Sequence, residues 1–268
     1  MSDFLDRIFA EKAKATKADQ RNESFDAVRN RALARKKDRR SFAHALASAA
    51  GPAIIGEIKR ASPSAGLIST NFEPASIAAS YDAAGVDAIS VLTEGVHFLG
   101  ELRFLDIARS QTTRPLLRKD FLSTPYEVVQ SAAYGADAIL QIVAGLDDEA
   151  LRFNMATAAL YDLDVLVEVH DELELKRALA AGATLLGINN RNLRTLQTSL
   201  AVSERLIPLV PQGITIISES GIREVADIAR LSARGARGYL IGESLMRSAD
   251  RAGLVRSYKS AMAESGLL

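Results

Sequence analysis

The chain has 268 residues, 48% of them hydrophobic and 25% charged, with 33 basic side chains balancing 33 acidic ones. Zero net charge gives no overall field for nucleic acid or an anionic membrane, so neither is expected as a partner. The absence of cysteine excludes disulfides and thiolate metal sites, and three scattered histidines (His44, His97, His170) make a histidine metal cluster an unlooked-for feature.

The opening MSDFLDRIFAEKAKATK is charged throughout and lacks the apolar core of a secretory leader. No apolar run approaches the roughly 20 residues that span a bilayer, so a cytoplasmic location is the expectation. Residues 1–50 read as a helical extension, with Phe4, Leu5, Ile8 and Phe9 on one helical face. The basic run Arg35 to Arg40 has acidic neighbours and no interleaved aromatics, which reads as a solvated helix end rather than a nucleic-acid patch.

From residue 51 short apolar runs alternate with longer amphipathic segments. The runs are 53–58, 87–92, 115–119, 137–142, 164–169, 184–188, 214–218 and 238–241, eight candidate strands. Four segments repeat the order helix end, glycine, strand. Their glycines, Gly85, Gly135, Gly182 and Gly235, are spaced by 50, 47 and 53 residues, so one more strand and helix fit inside each interval. Glycine just past a helix is its left-handed C-terminal cap. Helix starts are predicted at Thr124, with Pro125 and Glu127 completing the signature, and at Asp171. Strands alternating with helices mean parallel pairing, and near-equal spacing without a dinucleotide fingerprint favours closure. The predicted fold is α/β: a single (β/α)8 TIM barrel over 51–268, with the 1–50 extension packed on it.

Chemistry in such barrels sits where the strands end. Strand one puts Glu57 and Lys59 on the face of Ile55, and an ion pair inside a barrel is a poor stabiliser, which points to function. Strand three ends at Lys119. Strand five carries Glu168 between two valines, where burial raises a carboxyl pKa unless a lysine lies near. His170 shares the parity of Glu168 and reads as a supporting or helix-start histidine. Strand six runs into Asn189, Asn190 and Arg191, the last suited to a carboxylate or phosphate. Strands seven and eight end in SESGI and LIGESL. There Ser220 and Gly221 are expected to open one helix and Gly242 and Glu243 another, a pair of phosphate loops at the usual strands of this barrel class. The residues alone therefore suggest acid–base chemistry on a small phosphorylated molecule.

The stretches EIKRASPSAGLI, LLRKDF, VEVHDELE, GINNRNL, ISESGI and YLIGESLMR, in this order, closely resemble indole-3-glycerol phosphate synthase of tryptophan biosynthesis, and FLDRIFAEK and SFAHAL resemble its N-terminal extension. The resemblance implies a carboxy-lyase that closes the ring of 1-(2-carboxyphenylamino)-1-deoxyribulose 5-phosphate, releasing carbon dioxide and water, with no cofactor or metal. It implies catalytic roles for four residues: Lys119 as general acid, Lys59 at the substrate and sharing proton delivery, Glu168 as general base, and Glu57 as orienting or charge-stabilising carboxylate. Ser62, Asn189, Arg191, Glu219 and Ser220 fall at substrate contacts, and Phe98 and Phe121 at the apolar wall. Gly221, Gly242 and Glu243 fall in the phosphate loops.

Three positions depart from the family: Ala65 after Ser62, Pro63 and Ser64, Glu101 in the loop after strand two, and Gln141 in strand four. Two other readings compete, a different phosphoribosyl-type barrel isomerase and a non-catalytic barrel that binds a phosphate ester. The first is disfavoured if Lys119 and Glu168 face one cavity, and the intact set of Glu57, Lys59, Lys119 and Glu168 argues against the second. A second fused barrel does not fit the length. The expected partner is the small phosphorylated substrate, and the expected assembly a monomer or weak homodimer.

Overall fold

The computed structural model describes residues 4–262. The eight barrel strands are β1 (Ala53–Ile58), β2 (Ala88–Leu92), β3 (Leu116–Lys119), β4 (Ala138–Ile142), β5 (Asp164–Val169), β6 (Leu185–Asn189), β7 (Thr215–Glu219) and β8 (Gly238–Ile241). Each pairs in parallel with the next, and β1 pairs with both β2 and β8, closing the ring. The barrel helices are α4 (Pro74–Ala84), α5 (Phe104–Arg109), α6 (Pro125–Ala133), α7 (Asp148–Leu160), α8 (Glu172–Ala180), α9 (Ala201–Leu206), α10 (Val225–Ser232), α11 (Glu243–Arg247) and α12 (Arg251–Lys259). Three helices precede them: α1 (Phe4–Asn22), α2 (Phe25–Ala34) and α3 (Phe42–Ala47). Among the described residues no helix is long and apolar enough to cross a membrane.

Alternation along each strand divides the core in two. Ile54, Ile58, Ile89, Val91, Val167, Val169, Ile188 and Ile241 face the helical jacket. Ile55, Leu117, Leu140, Leu166, Ile217 and Leu240 fill the interior. All four repeated glycines take positive φ, from 82° at Gly85 to 116° at Gly235, as the helix-ending role requires. Thr124 and Glu127 form the reciprocal capping box, and Asp171 caps α8.

The residues before β1 hold to the barrel at both ends. Phe42 and Leu46 of α3 join the interior cluster beside Ala53 and Ala88, where the strands begin. Leu5 and Ile8 of α1 join it beside Phe121, where they end. Along α1, Lys12 pairs with Asp120 at 2.6 Å, Thr16 donates to Glu127 and Asp19 accepts from Gln130.

The basic run behaves differently from a solvated helix end. Arg35 pairs with Asp106 and Lys36 with Asp162. Arg39 donates to Ala136 O, and Arg40 to Thr112 O and Arg114 O. The connections leading into β3 and β4 leave carbonyls that the barrel cannot use, and these guanidiniums satisfy them. Composition gave the charge but not this partner.

Candidate active site

The ends of β1 to β8, the loops beyond them and the first turn of α1 surround a cavity of about 460 Å3. All fourteen site residues singled out in the sequence line it: Glu57, Lys59, Ser62, Phe98, Lys119, Phe121, Glu168, Asn189, Arg191, Glu219, Ser220, Gly221, Gly242 and Glu243. Among the described residues no group of three or more His, Asp or Glu is arranged to hold a metal ion.

The charged groups come from alternate strands. Glu57 lies on β1 with Lys59 just past its end, Lys119 on β3, Glu168 on β5 and Glu219 on β7. In an eight-stranded parallel barrel alternate strands supply one interior layer, so these side chains converge although about 160 residues separate the first from the last.

Within the layer the charges sort into two groups. Lys59 is paired with Glu57. Lys119 reaches Glu168 Oε2 at 2.6 Å and Glu219 Oε2 at 2.7 Å. Both carboxylates are 1% exposed and the lysine side chain 14%. Burial pushes the Lys119 amine down, but two carboxylates outweigh it and hold the pKa above the ordinary lysine value. Burial likewise pushes Glu168 up, and Lys119 with His170 outweighs it, leaving this carboxyl below its ordinary value. Glu219 responds oppositely. Burial and the nearby Glu168 charge outweigh the lysine, and its pKa rises to about 7. Two carboxylates on one cation are thus pushed apart, a pattern that separates acid and base roles.

Two glycines make the arrangement possible. A Cβ on Gly187 of β6 would collide with Glu219 Oε1. A Cβ on Gly242 would run into Glu57 Oε1 and stand 2.9 Å from Lys59 Nζ. Gly242 was legible only as a loop glycine, and Gly187 was not singled out at all.

Ser220 and Gly221 are consecutive left-handed residues, with φ of 63° and 82°. They turn the chain at the mouth but do not open a helix. Asp227 accepts from the backbone of Arg223 and Glu224, and this box starts α10 at Val225. Gly242 does precede α11 directly, and Arg247 pairs with Glu243 at 3.0 Å on the rim. Arg191 donates to Leu196 O, holding the loop after β6.

The apolar wall is aromatic. Phe98 and Phe121 lie 6.2 Å apart, and Phe9 of α1 meets Phe121 edge-on at 5.7 Å. Glu94 fixes the Phe98 loop by accepting from the backbone of Val96, His97 and Phe98. Phe4 also lines the cavity, a contribution that the apolar face of the first helix hinted at without locating.

The departures lie off this surface. Gln141 points away from the interior and accepts from Asn154 on α7. Glu101 pairs with Arg103. Ala65 donates its backbone N–H to Ser62 Oγ at 3.1 Å, so the turn needs no side chain at that position.

Residues 5–258 match the family model described as indole-3-glycerol phosphate synthase. Proteins named indole-3-glycerol phosphate synthase are similar to the chain in several bacteria. The one from Rhodospirillum rubrum is 50% identical over 222 residues, covering 81% of this chain and 84% of its own. The one from Burkholderia multivorans is 45% identical over 256 residues, covering 94% and 97%. Among solved structures, KGPDC from Streptococcus mutans aligns with a TM-score of 0.62 at 14% identity, covering 80% of this chain and 98% of that one. A native KDPGal structure aligns at 0.57 and 18% identity, covering 80% and 96%. At such identities these two speak for the barrel alone.

Proposed function

The chain belongs to the indole-3-glycerol phosphate synthase family, and from that premise we propose that it closes the indole ring of 1-(2-carboxyphenylamino)-1-deoxyribulose 5-phosphate, with Lys119 as acid and Glu168 as base. The observation that carries this reading is Lys119 held between Glu168 and Glu219 in a cavity with an aromatic wall.

The substrate has three chemically distinct parts, and the cavity has a counterpart to each. The anthranilate ring suits the Phe98 and Phe121 wall. The phosphate suits the backbone N–H groups around Ser220, Gly221, Gly242 and Glu243. The ketone lies between, among the lysines.

Ring closure joins the aryl carbon bearing the carboxylate to the ketone carbon. Negative charge grows on the ketone oxygen as the bond forms, and Lys119 neutralises it by transferring a proton. Two carboxylates keep that lysine protonated at neutral pH, and the proton becomes available as the substrate oxygen takes the place of one of them. The attacked ring carbon is then tetrahedral beside an iminium, which accepts the electrons of the breaking carbon–carboxylate bond, so carbon dioxide leaves without an external electron sink. Glu57 offsets the positive charge of that intermediate and orients Lys59. In the last step Glu168 removes the proton from the side-chain carbon next to nitrogen, Lys59 protonates the departing hydroxyl, and water leaves with the indole aromatic. Ser62, Asn189, Arg191 and Glu219 hold the substrate. Glu219, titrating near 7, offers its proton as a hydrogen bond to the sugar.

The test is direct. Purified protein given the carboxyphenylamino substrate, with no added metal, is expected to yield a product with indole absorbance. No turnover at saturating substrate overturns the reading. Gly242→Ala supplies a second check, because φ at Gly242 is −108° and alanine adds no backbone strain there. The new methyl must displace the Glu57–Lys59 pair, and kcat is expected to fall by about 100-fold with the circular dichroism unchanged. Retention of most of the wild-type kcat would show that this pair takes no part.

A further inference from the structure

We propose that His170 is a positioning residue that keeps Glu168 ionised and thereby decides which of the two carboxylates on Lys119 serves as the base. The inference rests on the reading of Glu168 as the base given above.

Lys119 cannot make that choice. It touches one oxygen of each carboxylate at nearly the same distance, 2.6 Å to Glu168 and 2.7 Å to Glu219. Asn189 supports Glu168 alone with a neutral side chain, and the charged asymmetry lies at the other oxygens. Glu219 Oε1 is buried without a hydrogen-bond partner, over the bare backbone of Gly187. Glu168 Oε1 is also buried without a formed hydrogen bond, but 3.4 Å from it stands His170 Nε2, itself buried and otherwise unpartnered.

The ring is fixed from behind. Glu174 of α8 meets His170 Nδ1 at 2.9 Å and accepts from the His170 backbone N–H at 2.8 Å. A neutral imidazole has one N–H and can donate to only one of two carboxylates. The doubly protonated ring donates to Glu174 and points its second N–H at Glu168. The charged groups facing the ring are Glu174 from α8, Glu168 from its own strand and Glu219 from β7. Burial pushes the imidazole pKa down, these three carboxylates outweigh it, and the ring stays charged above its ordinary range. Glu168 therefore has both cations against it, Lys119 at 2.6 Å and His170 at 3.4 Å, whereas Glu219 is in direct contact with Lys119 and meets the ring only at longer range.

The experiment follows the carboxyl of Glu168 by 13C NMR across pH, in the unliganded wild type and in His170→Gln, which keeps a donor but carries no charge. The sign is fixed. Removing a cation disfavours the carboxylate, so the Glu168 midpoint is expected to rise by about one pH unit. The acidic limb of kcat is expected to rise with it while KM changes little. A Glu168 midpoint that stays in place overturns the proposal, since a purely structural histidine would leave it there. If His170→Gln does not fold, Glu174→Gln keeps an acceptor but removes the negative charge that keeps the ring protonated, and is expected to shift Glu168 in the same direction. No shift there overturns the proposal equally. A wild type that forms no indole but shows the NMR shift would sink the proposed reaction and leave the positioning role standing.

Discussion

Lys119→Met is expected to lower turnover by roughly 10^3-fold or more, with the secondary structure and unfolding transition still cooperative. Methionine matches the length of the lysine stem, so the barrel interior stays filled. What goes is the ammonium that is ion-paired to both Glu168 and Glu219. The acid that protonates the ketone is lost, and two buried carboxylates are left facing each other. Like charges that close cannot both ionise, so one takes up a proton near neutrality and the base is compromised as well. Both halves of the reaction therefore fail together. The measurement is single-turnover formation of indole absorbance beside far-ultraviolet circular dichroism. A variant within tenfold of wild type would remove Lys119 from the mechanism.

The second large effect is on stability. Asp120, the residue after Lys119, is 1% exposed and accepts from Lys12 and Thr93, both at 2.6 Å, and from Arg118 at 2.9 Å. Arg118 is fully buried too. Burial pushes the Asp120 carboxyl up, but Lys12 and Arg118 outweigh it and hold it far below the usual carboxylate range. Asp120→Asn leaves a buried guanidinium without its counter-charge, and a loss of about 3–5 kcal/mol at pH 7 is expected. A carboxyl whose folded pKa is depressed stabilises above its unfolded value, about 3.9, and that contribution drains away as pH falls below it. The difference between wild type and variant should therefore shrink between pH 4 and pH 2. Urea unfolding at pH 7 and at pH 3 checks both parts. A gap under 1 kcal/mol at pH 7, or one of equal size at both pH values, contradicts the account.

Much of this architecture was legible because local signals agreed with one another. The apolar runs found the eight strands to within a residue at either end, and Gly85, Gly135, Gly182 and Gly235 marked the helix ends because only a left-handed residue fits there. The charged strand ends were legible as anomalies, since Glu57, Lys59, Lys119 and Glu168 sit where a core needs none. Their pairing was not legible. Parity tells which face a side chain takes but not which strand lies across the barrel. The two carboxylates on Lys119 follow from closure and from the rule that alternate strands share a layer. Glu219 was legible only through the family resemblance, as an expected substrate contact, and its pairing with Lys119 needs the third dimension. The start of α10 was misjudged for a local reason: Ser220 and Gly221 resemble a helix opening, but the box between Glu224 and Asp227 acts further along. The guanidiniums of Arg39 and Arg40 were invisible because their acceptors are backbone carbonyls, which every sequence possesses.

Gly187 and Gly242 carry no functional group, touch no proton and bind by no side chain. Yet the oxygens of Glu219 and Glu57 occupy the space where their methyls would stand. In a saturation scan scored on growth without tryptophan, both positions would lose fitness beside the lysines, if less steeply. A tally of sensitive positions would then count them as catalytic, although what is preserved there is room for another residue's carboxylate oxygen.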